Sequence, residues 1–220
     1  MEKIDKLKLY NADCMEVIKD YEDNYFDLAI VDPPYGINFA KTYTTRTQKD
    51  RRGLRHKSKE WDEGIPTDEY FIELQRVSKN QIIWGGNYFP YLWKNGCKGF
   101  IFWYKGNPVP NFSDGELAWT SFNQVARQFD YRYYGNHQGS TLAPPKIHPT
   151  QKPIILYEWL LKIYAKKGDK ILDTHLGSGN SAIASYYFGC SEFVGIELDK
   201  DYYNNSIKHI KSKTMQIKLF

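Results

Sequence analysis

Apolar side chains fall along this chain in two kinds of pattern. Short, nearly unbroken runs occur at Phe26-Asp27-Leu28-Ala29-Ile30-Val31, Gln81-Ile82-Ile83-Trp84, Phe100-Ile101-Phe102-Trp103, Lys170-Ile171-Leu172 and Glu192-Phe193-Val194-Gly195-Ile196-Glu197. Runs of this length, apolar toward both faces, predict strands of a buried parallel sheet. Between them the apolar positions repeat at helical spacing. Tyr70, Phe71, Leu74 and Val77 form one stripe, and Ile154, Ile155, Tyr157, Leu160, Leu161 and Tyr164 form another. Asn180 through Phe188, with Ala182, Ile183 and Ala184 near its start, reads as a third helix. Met1 to Tyr10 alternates Lys with Ile and Leu and predicts a first strand. Strands alternating with helices predict a layered α/β fold. No apolar run reaches the length of a membrane span.

Two strand ends carry unusual chemistry. The first run is followed by Asp32-Pro33-Pro34-Tyr35. The prolines lack an N–H and fix φ, so they stop the ladder and stiffen the turn. An acid, a rigid carbonyl and an aromatic ring are thereby held at the carboxyl end of a strand, where open α/β sheets bind ligands. This set suits an exocyclic amine on a planar base. Asp32 can accept one N–H, the Pro33 carbonyl the other, and the Tyr35 ring can stack on the base. Such a site works through positioning and electrostatics on an electrophile that is already activated.

The second is Asp169-Lys170-Ile171-Leu172-Asp173-Thr174-His175-Leu176-Gly177-Ser178-Gly179-Asn180-Ser181-Ala182. A strand ends in Asp173, the glycines make a tight turn, and a helix starts at Asn180. The glycines let a ligand approach the backbone, and the helix N-terminus favours negative charge. The next strand ends in Glu197, an acid suited to ribose hydroxyls. Gly177-x-Gly179-x-x-Ala182 also satisfies the nicotinamide-dinucleotide fingerprint, with Glu197 about 20 residues on. That reading leaves too little chain for a substrate domain. It puts Asp173 ahead of the glycines, where an amino-acid cation fits better than a pyrophosphate, and it leaves Asp32 to Tyr35 unexplained. A third motif, His148-Pro149-Thr150-Gln151-Lys152-Pro153, is a polar loop bracketed by prolines before a helix. Lys152 could bind a carboxylate there and His148 could donate a hydrogen bond.

With all three motifs in this order, the chain resembles the β class of S-adenosylmethionine-dependent DNA amino-methyltransferases. The resemblance implies a three-layer Rossmann-like α/β/α sandwich, with a mostly parallel sheet, one antiparallel edge strand and a permuted motif order that joins N- and C-terminal strands. It implies methyl transfer from S-adenosylmethionine to N6 of an adenine flipped out of double-stranded DNA, without a metal. Asp32, Pro33, Pro34 and Tyr35 would be catalytic. Asp13, in Asn11-Ala12-Asp13-Cys14, would meet the adenine of the cofactor together with Cys14. Asp173, His175, Gly177, Ser178, Gly179 and Asn180 would line its methionine end, His148, Thr150 and Lys152 would complete that pocket, and Glu197 would hold the ribose. His175 and Asn180 depart from the family, where Phe and Thr are commoner, which bears on affinity for the cofactor. The family also makes a homodimer one expected assembly. N4-cytosine methylation, an RNA or protein-glutamine substrate, and a non-catalytic DNA-binding module remain as alternatives.

Composition narrows this further. The 220-residue chain is 41% hydrophobic and 25% charged, as a single globular methyltransferase domain would be. Cys14, Cys97 and Cys190 form no zinc spacing or paired framework, which suits a reducing cytoplasm. None follows a proline as the nucleophile of C5-cytosine methyltransferases does, which argues against that chemistry. The net charge is +4, but Lys41, Arg46, Lys49, Arg51, Arg52, Arg55, Lys57 and Lys59 against Asp50 give one segment +7, leaving −3 on the rest. Just past Tyr35, such a segment (residues 40–60) reads as a DNA-contacting loop that neutralises phosphates. Residues 105–145 read as irregular and aromatic-rich, a target-recognition insertion in which Asn123, Gln124, Arg127 and Gln128 suit base edges.

Overall fold

The computed structural model describes residues 1–37, 64–107, 110, 113–134, 137–142 and 146–215. The basic segment from Lys41 to Lys59 lies outside the described residues.

In chain order the elements are β1 (Glu2–Ile4), β2 (Leu7–Asn11), α1 (Cys14–Ile18), β3 (Leu28–Val31), α2 (Asp68–Val77), β4 (Gln81–Trp84), β5 (Phe100–Tyr104) and β6 (Gly115–Thr120). There follow β7 (Arg127–Asp130), β8 (Tyr133–Tyr134), β9 (His137–Gln138), β10 (Thr141–Leu142), α3 (Ile154–Tyr164), β11 (Lys170–Asp173), α4 (Asn180–Phe188), β12 (Glu192–Glu197) and α5 (Lys200–Thr214). Nine strands form one sheet in the order β1-β2-β12-β11-β3-β4-β6-β5-β7, and β10-β9-β8 form a second small sheet.

The sheet is mostly parallel, as expected, and the N-terminal β2 pairs with the C-terminal β12, from Leu7 against Phe193 to Asn11 against Glu197. Two strands run the other way. β1 does so at an edge. β6 is antiparallel to both β4 and β5, so this reversed strand lies inside the sheet rather than on its edge. The first ten residues form a hairpin rather than one strand, because Asp5 adopts φ 51° and turns the chain.

Successive side chains of a strand point to opposite faces, and both faces are covered. Leu28 and Ile30 pack with Ile82, Trp84, Leu156, Leu160, Ile183 and Ile210, under α3, α4 and α5. Ala29 and Val31 pack with Ile83, Val194, Ile18, Phe71, Leu74 and Val77, under α1 and α2. All four residues of β3 and of β4 are buried, which is why these strands read as continuous apolar runs.

Residues 105–145 supply part of this frame. β6 is an inner strand of the large sheet and β7 its edge, with Trp119, Phe129 and Tyr133 in the core. Strand direction also corrects an expectation. Thr120 pairs with Ile82 and Arg127 with Ile101, so Asn123, Gln124 and Arg127 lie at the end of the sheet opposite Asp32. They are not beside the acid–aromatic turn. The small sheet β8–β10 is at the same end as Asp32, since Tyr133 N–H donates to the Lys105 carbonyl just past β5.

Candidate active site

Asp32 follows Val31 at the end of β3, and Asp173 ends β11, the strand beside it. The pairing of Leu28 with Ile171 and Ala29 with Leu172 fixes their relative position. Asp27 reinforces it: its N–H donates to the Lys170 carbonyl at 2.9 Å, and its carboxylate accepts from Lys170 N–H at 2.8 Å.

The Tyr35 hydroxyl donates to Asp32 Oδ1. Lys152 Nζ donates to Asp32 Oδ2 at 2.5 Å and lies 3.3 Å from the Tyr35 oxygen. Lys152 also pairs with Glu116 Oε2 at 3.1 Å, and Glu116 Oε1 pairs with Lys105. Side-chain exposure is 2% for Lys152, 15% for Asp32 and 25% for Glu116, so the ammonium is the most enclosed of the three. Burial raises the Asp32 carboxyl above its usual range; Lys152 opposes that and Glu116 adds to it. Burial works against charge on Lys152, but the two carboxylates outweigh it and hold the ammonium charged. Glu116 resists burial because Lys152 and Lys105 both face it, and its carboxyl falls to about 2. Burial, reinforced by Asp32, raises the Tyr35 phenol well above 10, so it remains a donor.

The Tyr35 ring rests against the backbone of Gly85, just past β4. A Cβ on Gly85 would fall 2.5 Å from Tyr35 Cδ1 and 2.6 Å from Cζ, and Gly85 has φ +69°. Tyr88 lies nearly parallel to Tyr35, with centroids 5.0 Å apart at 12°, and is 41% exposed.

The second half of the site is the turn after β11. Asp173 is buried, accepts from Ser181 Oγ at 2.5 Å and from His175 N–H at 3.0 Å, and burial lifts its carboxyl to about 7. His175 stands edge-on to Tyr70 at 5.6 Å, with Nδ1 2.9 Å from Thr174 Oγ1; burial lowers it to about 4, so it is neutral. Glu197, at the end of β12, accepts Gly177 N–H and Asp199 N–H, each at 2.9 Å. Asp13 caps α1 by accepting Met15 N–H at 2.8 Å, on the strand next to Glu197, since Ala12 N–H donates to the Glu197 carbonyl. Burial pushes the Cys14 thiol up to about 12, so it is an unreactive neutral group. His148 packs edge-on to Tyr202 at 4.3 Å, and its Nδ1 lies 3.1 Å from Thr150 Oγ1. Gly177 opens onto the His148 ring, and a Cβ there would be 3.6 Å away. Ser178 is buried in the turn beside it.

Asp13, Asp173, His175, Gly177, Ser178, Gly179 and Glu197 thus gather on the ends of β11, β12 and β2, one, two and three strands over from Asp32. Two residues expected in the methionine pocket have other partners. Lys152 is on Asp32 and Glu116. Asn180 is buried and donates to the Lys152 carbonyl at 2.7 Å, while His209 Nε2 lies 3.0 Å from its Oδ1. Glu116, Lys105, Gly85 and Tyr88 joined the site without being foreseen. Gly85-Gly86 at a strand end marked a turn, but nothing local pointed Glu116 at a lysine 36 positions along.

An acid–aromatic turn and a glycine turn thus stand on neighbouring strand ends of a mostly parallel sheet, in a Rossmann-like frame. Comparisons with known proteins make the class narrower. The family described as DNA methylase matches residues 100–208, which include the 148–153 loop, the glycine turn and Glu197. The chain is 26% identical over 238 aligned positions to the type II methyltransferase M2.MboI of Moraxella bovis, covering 88% of this chain and 84% of that one. It is 26% identical over 242 positions to the type II methyltransferase M.HpaI of Haemophilus parainfluenzae, covering 94% and 74%. Among solved structures, an M1.HpyAVI–SAM complex matches with a TM-score of 0.59 and 23% identity over 92% of this chain and 99% of that one. The PvuII DNA methyltransferase, titled cytosine-N4-specific, matches with a TM-score of 0.63 and 9% identity over 96% and 92%. Over residues 100–208 the chain is similar to the DNA methylase family, and its fold is that of the solved DNA methyltransferases.

Proposed function

We propose that this protein transfers a methyl group from S-adenosylmethionine to N6 of an adenine in double-stranded DNA. The observation that supports this most directly is Asp32, Pro33, Pro34 and Tyr35 at the end of β3, one strand from Asp173 and its glycine turn and two from Glu197.

The cofactor-side residues fit that molecule. Asp173 is a buried carboxylate suited to an amino group, and Glu197, which accepts Gly177 N–H and Asp199 N–H, has further lone pairs at the strand end for ribose hydroxyls. Asp13 and His175 line the same rim. Bound there, the sulfonium supplies an electrophilic methyl group. The protein's own residues do the rest. Asp32 accepts one N6–H and holds the amine lone pair toward the methyl, and the Pro33 carbonyl accepts the second N–H. Tyr35 stacks on the base, and the base leaves the duplex to reach it. Asp32, already on the amine, would take the proton that the methylated nitrogen sheds.

Residues 41–59 supply cationic side chains for phosphate, namely Lys41, Arg46, Lys49, Arg51, Arg52, Arg55 and Lys57. The two curated relatives carry the names of type II methyltransferases, which favours a role in restriction–modification. The test is expression in a host lacking DNA methylation, with mass spectrometry of nucleosides from its genomic DNA. N6-methyldeoxyadenosine is expected. N4-methyldeoxycytidine would overturn the base assignment, and unmodified DNA from soluble, folded protein would overturn the reaction.

A further inference from the structure

Both oxygens of Asp32 are engaged before any base arrives, Oδ1 by the Tyr35 hydroxyl and Oδ2 by Lys152. Lys152 is enclosed and has a second carboxylate beside it. Its ammonium is 2.5 Å from Asp32 Oδ2 and 3.1 Å from Glu116 Oε2. Only the first is an aligned hydrogen bond: among the described residues, Glu116 Oε2 has no directed donor although it is buried. A buried acceptor left in that state is costly and needs an explanation. Glu116 is itself anchored from the other side by Lys105 through Oε1. The result is an alternating row of Asp32, Lys152, Glu116 and Lys105 in which one ammonium has two seats and one is half used.

Building on the reaction proposed above, we infer that Glu116 is a positioning residue that draws Lys152 off Asp32 Oδ2 when the target amine binds. The move frees an Asp32 oxygen for N6–H while Lys152 stays paired, so no buried charge is stranded. Breaking such a pair outright would be strongly unfavourable. Glu116 does not touch the substrate. It acts through Lys152, and the row stays neutral while the amine binds, with two carboxylates and two ammoniums.

The test compares Glu116→Gln and Glu116→Asp with the wild-type chain, measuring single-turnover rate against pH, dissociation constants for S-adenosylmethionine and DNA, and melting temperature. Glu116→Gln is expected to slow methyl transfer on the order of tenfold to a hundredfold, the usual cost of losing an outer partner that orients a reacting group. Cofactor affinity should stay within about twofold. The acid limb of its rate profile should move to lower pH, because the neighbour that raises Asp32 has lost its charge. Glu116→Asp, which keeps the charge, should recover much of the rate and the wild-type limb. An unshifted limb in Glu116→Gln, or equal losses in both variants, overturns the inference. If neither variant folds, Lys105→Met serves instead: it weakens the anchor of Glu116 and must move the same limb, or the inference fails. Methylated nucleoside from the wild type separates these outcomes from a failure of the proposed reaction itself.

Discussion

Replacing Gly85 by Ala tests the placement of the Tyr35 ring. Two costs add. Gly85 sits at φ +69°, where an L side chain costs about 1–2 kcal/mol. Its new Cβ would also lie within 2.6 Å of Tyr35 Cζ, an overlap that forces the ring to move. Overpacking of this kind typically costs about 1–3 kcal/mol. The sum, about 2–5 kcal/mol, lowers Tm by roughly 10 °C in a chain of this size, where each kcal/mol is worth about 2–4 °C. Gly96→Ala separates the two costs, because Gly96 has φ +72° but nothing within 4 Å of a Cβ. It should lose only the backbone part, about 1–2 kcal/mol, and remain active. Gly85→Ala should lose methylation as well, because a base–aromatic stack is worth about 1–3 kcal/mol, or roughly tenfold to a hundredfold. Thermal unfolding and a tritiated-methyl transfer assay on the two variants decide it. Equal melting temperatures together with wild-type activity in Gly85→Ala would refute the placement of Tyr35 against this backbone.

Three further outcomes are expected. Asp32→Ala should lower methyl transfer by on the order of 10²–10³-fold, as loss of a preorganised charge partner does, with calorimetric binding of S-adenosylmethionine largely intact; full activity would remove Asp32 from the chemistry. Neutralising Arg51, Arg52 and Arg55 together should weaken DNA binding and flatten its log–log salt slope by about 2.7, at about 0.9 per phosphate contact; an unchanged slope would return the segment to a solvated loop. Asp173 titrates at about 7 in the free protein. Its folded value is raised, so protonation favours the folded apo protein as pH falls from about 7 toward the ordinary carboxylate range, while a cationic ligand group needs the ionised form. Cofactor Kd should therefore rise up to about tenfold per pH unit below about 7, and Asp173→Asn should erase that dependence; a Kd flat with pH in the wild type would count against the contact.

Much of the frame was legible because its strands are buried on both faces. Leu28 to Val31, Gln81 to Trp84 and Glu192 to Glu197 could hardly be anything else, and the glycines before Asn180 marked where α4 starts. β6 was not legible. Its Gly-Glu-Leu-Ala-Trp-Thr has a glycine and an acid at one end, and its place comes from antiparallel ladders to β4 and β5 that no local pattern encodes. Its direction then decides which loops share an end with Asp32, and it sends Asn123 and Gln124 away. The site divides in the same manner. Asp32, Tyr35, Asp173 and Glu197 stand in recognisable local company. Lys152 was visible as a cation, but its partner is 120 residues earlier and Glu116 comes from a third strand. Pairing across such separations depends on topology.

The pairing of β2 with β12 has a consequence for biosynthesis. Leu7 waits for Phe193 and Leu28 for Ile171, so the two halves of the site meet only through contacts that span most of the chain. Contacts of that separation close late and slowly. A ribosome-bound chain that has already emerged with Asp32 and Tyr35 still lacks the neighbours that hold them. The site can assemble only after the residues of β12 have left the ribosome.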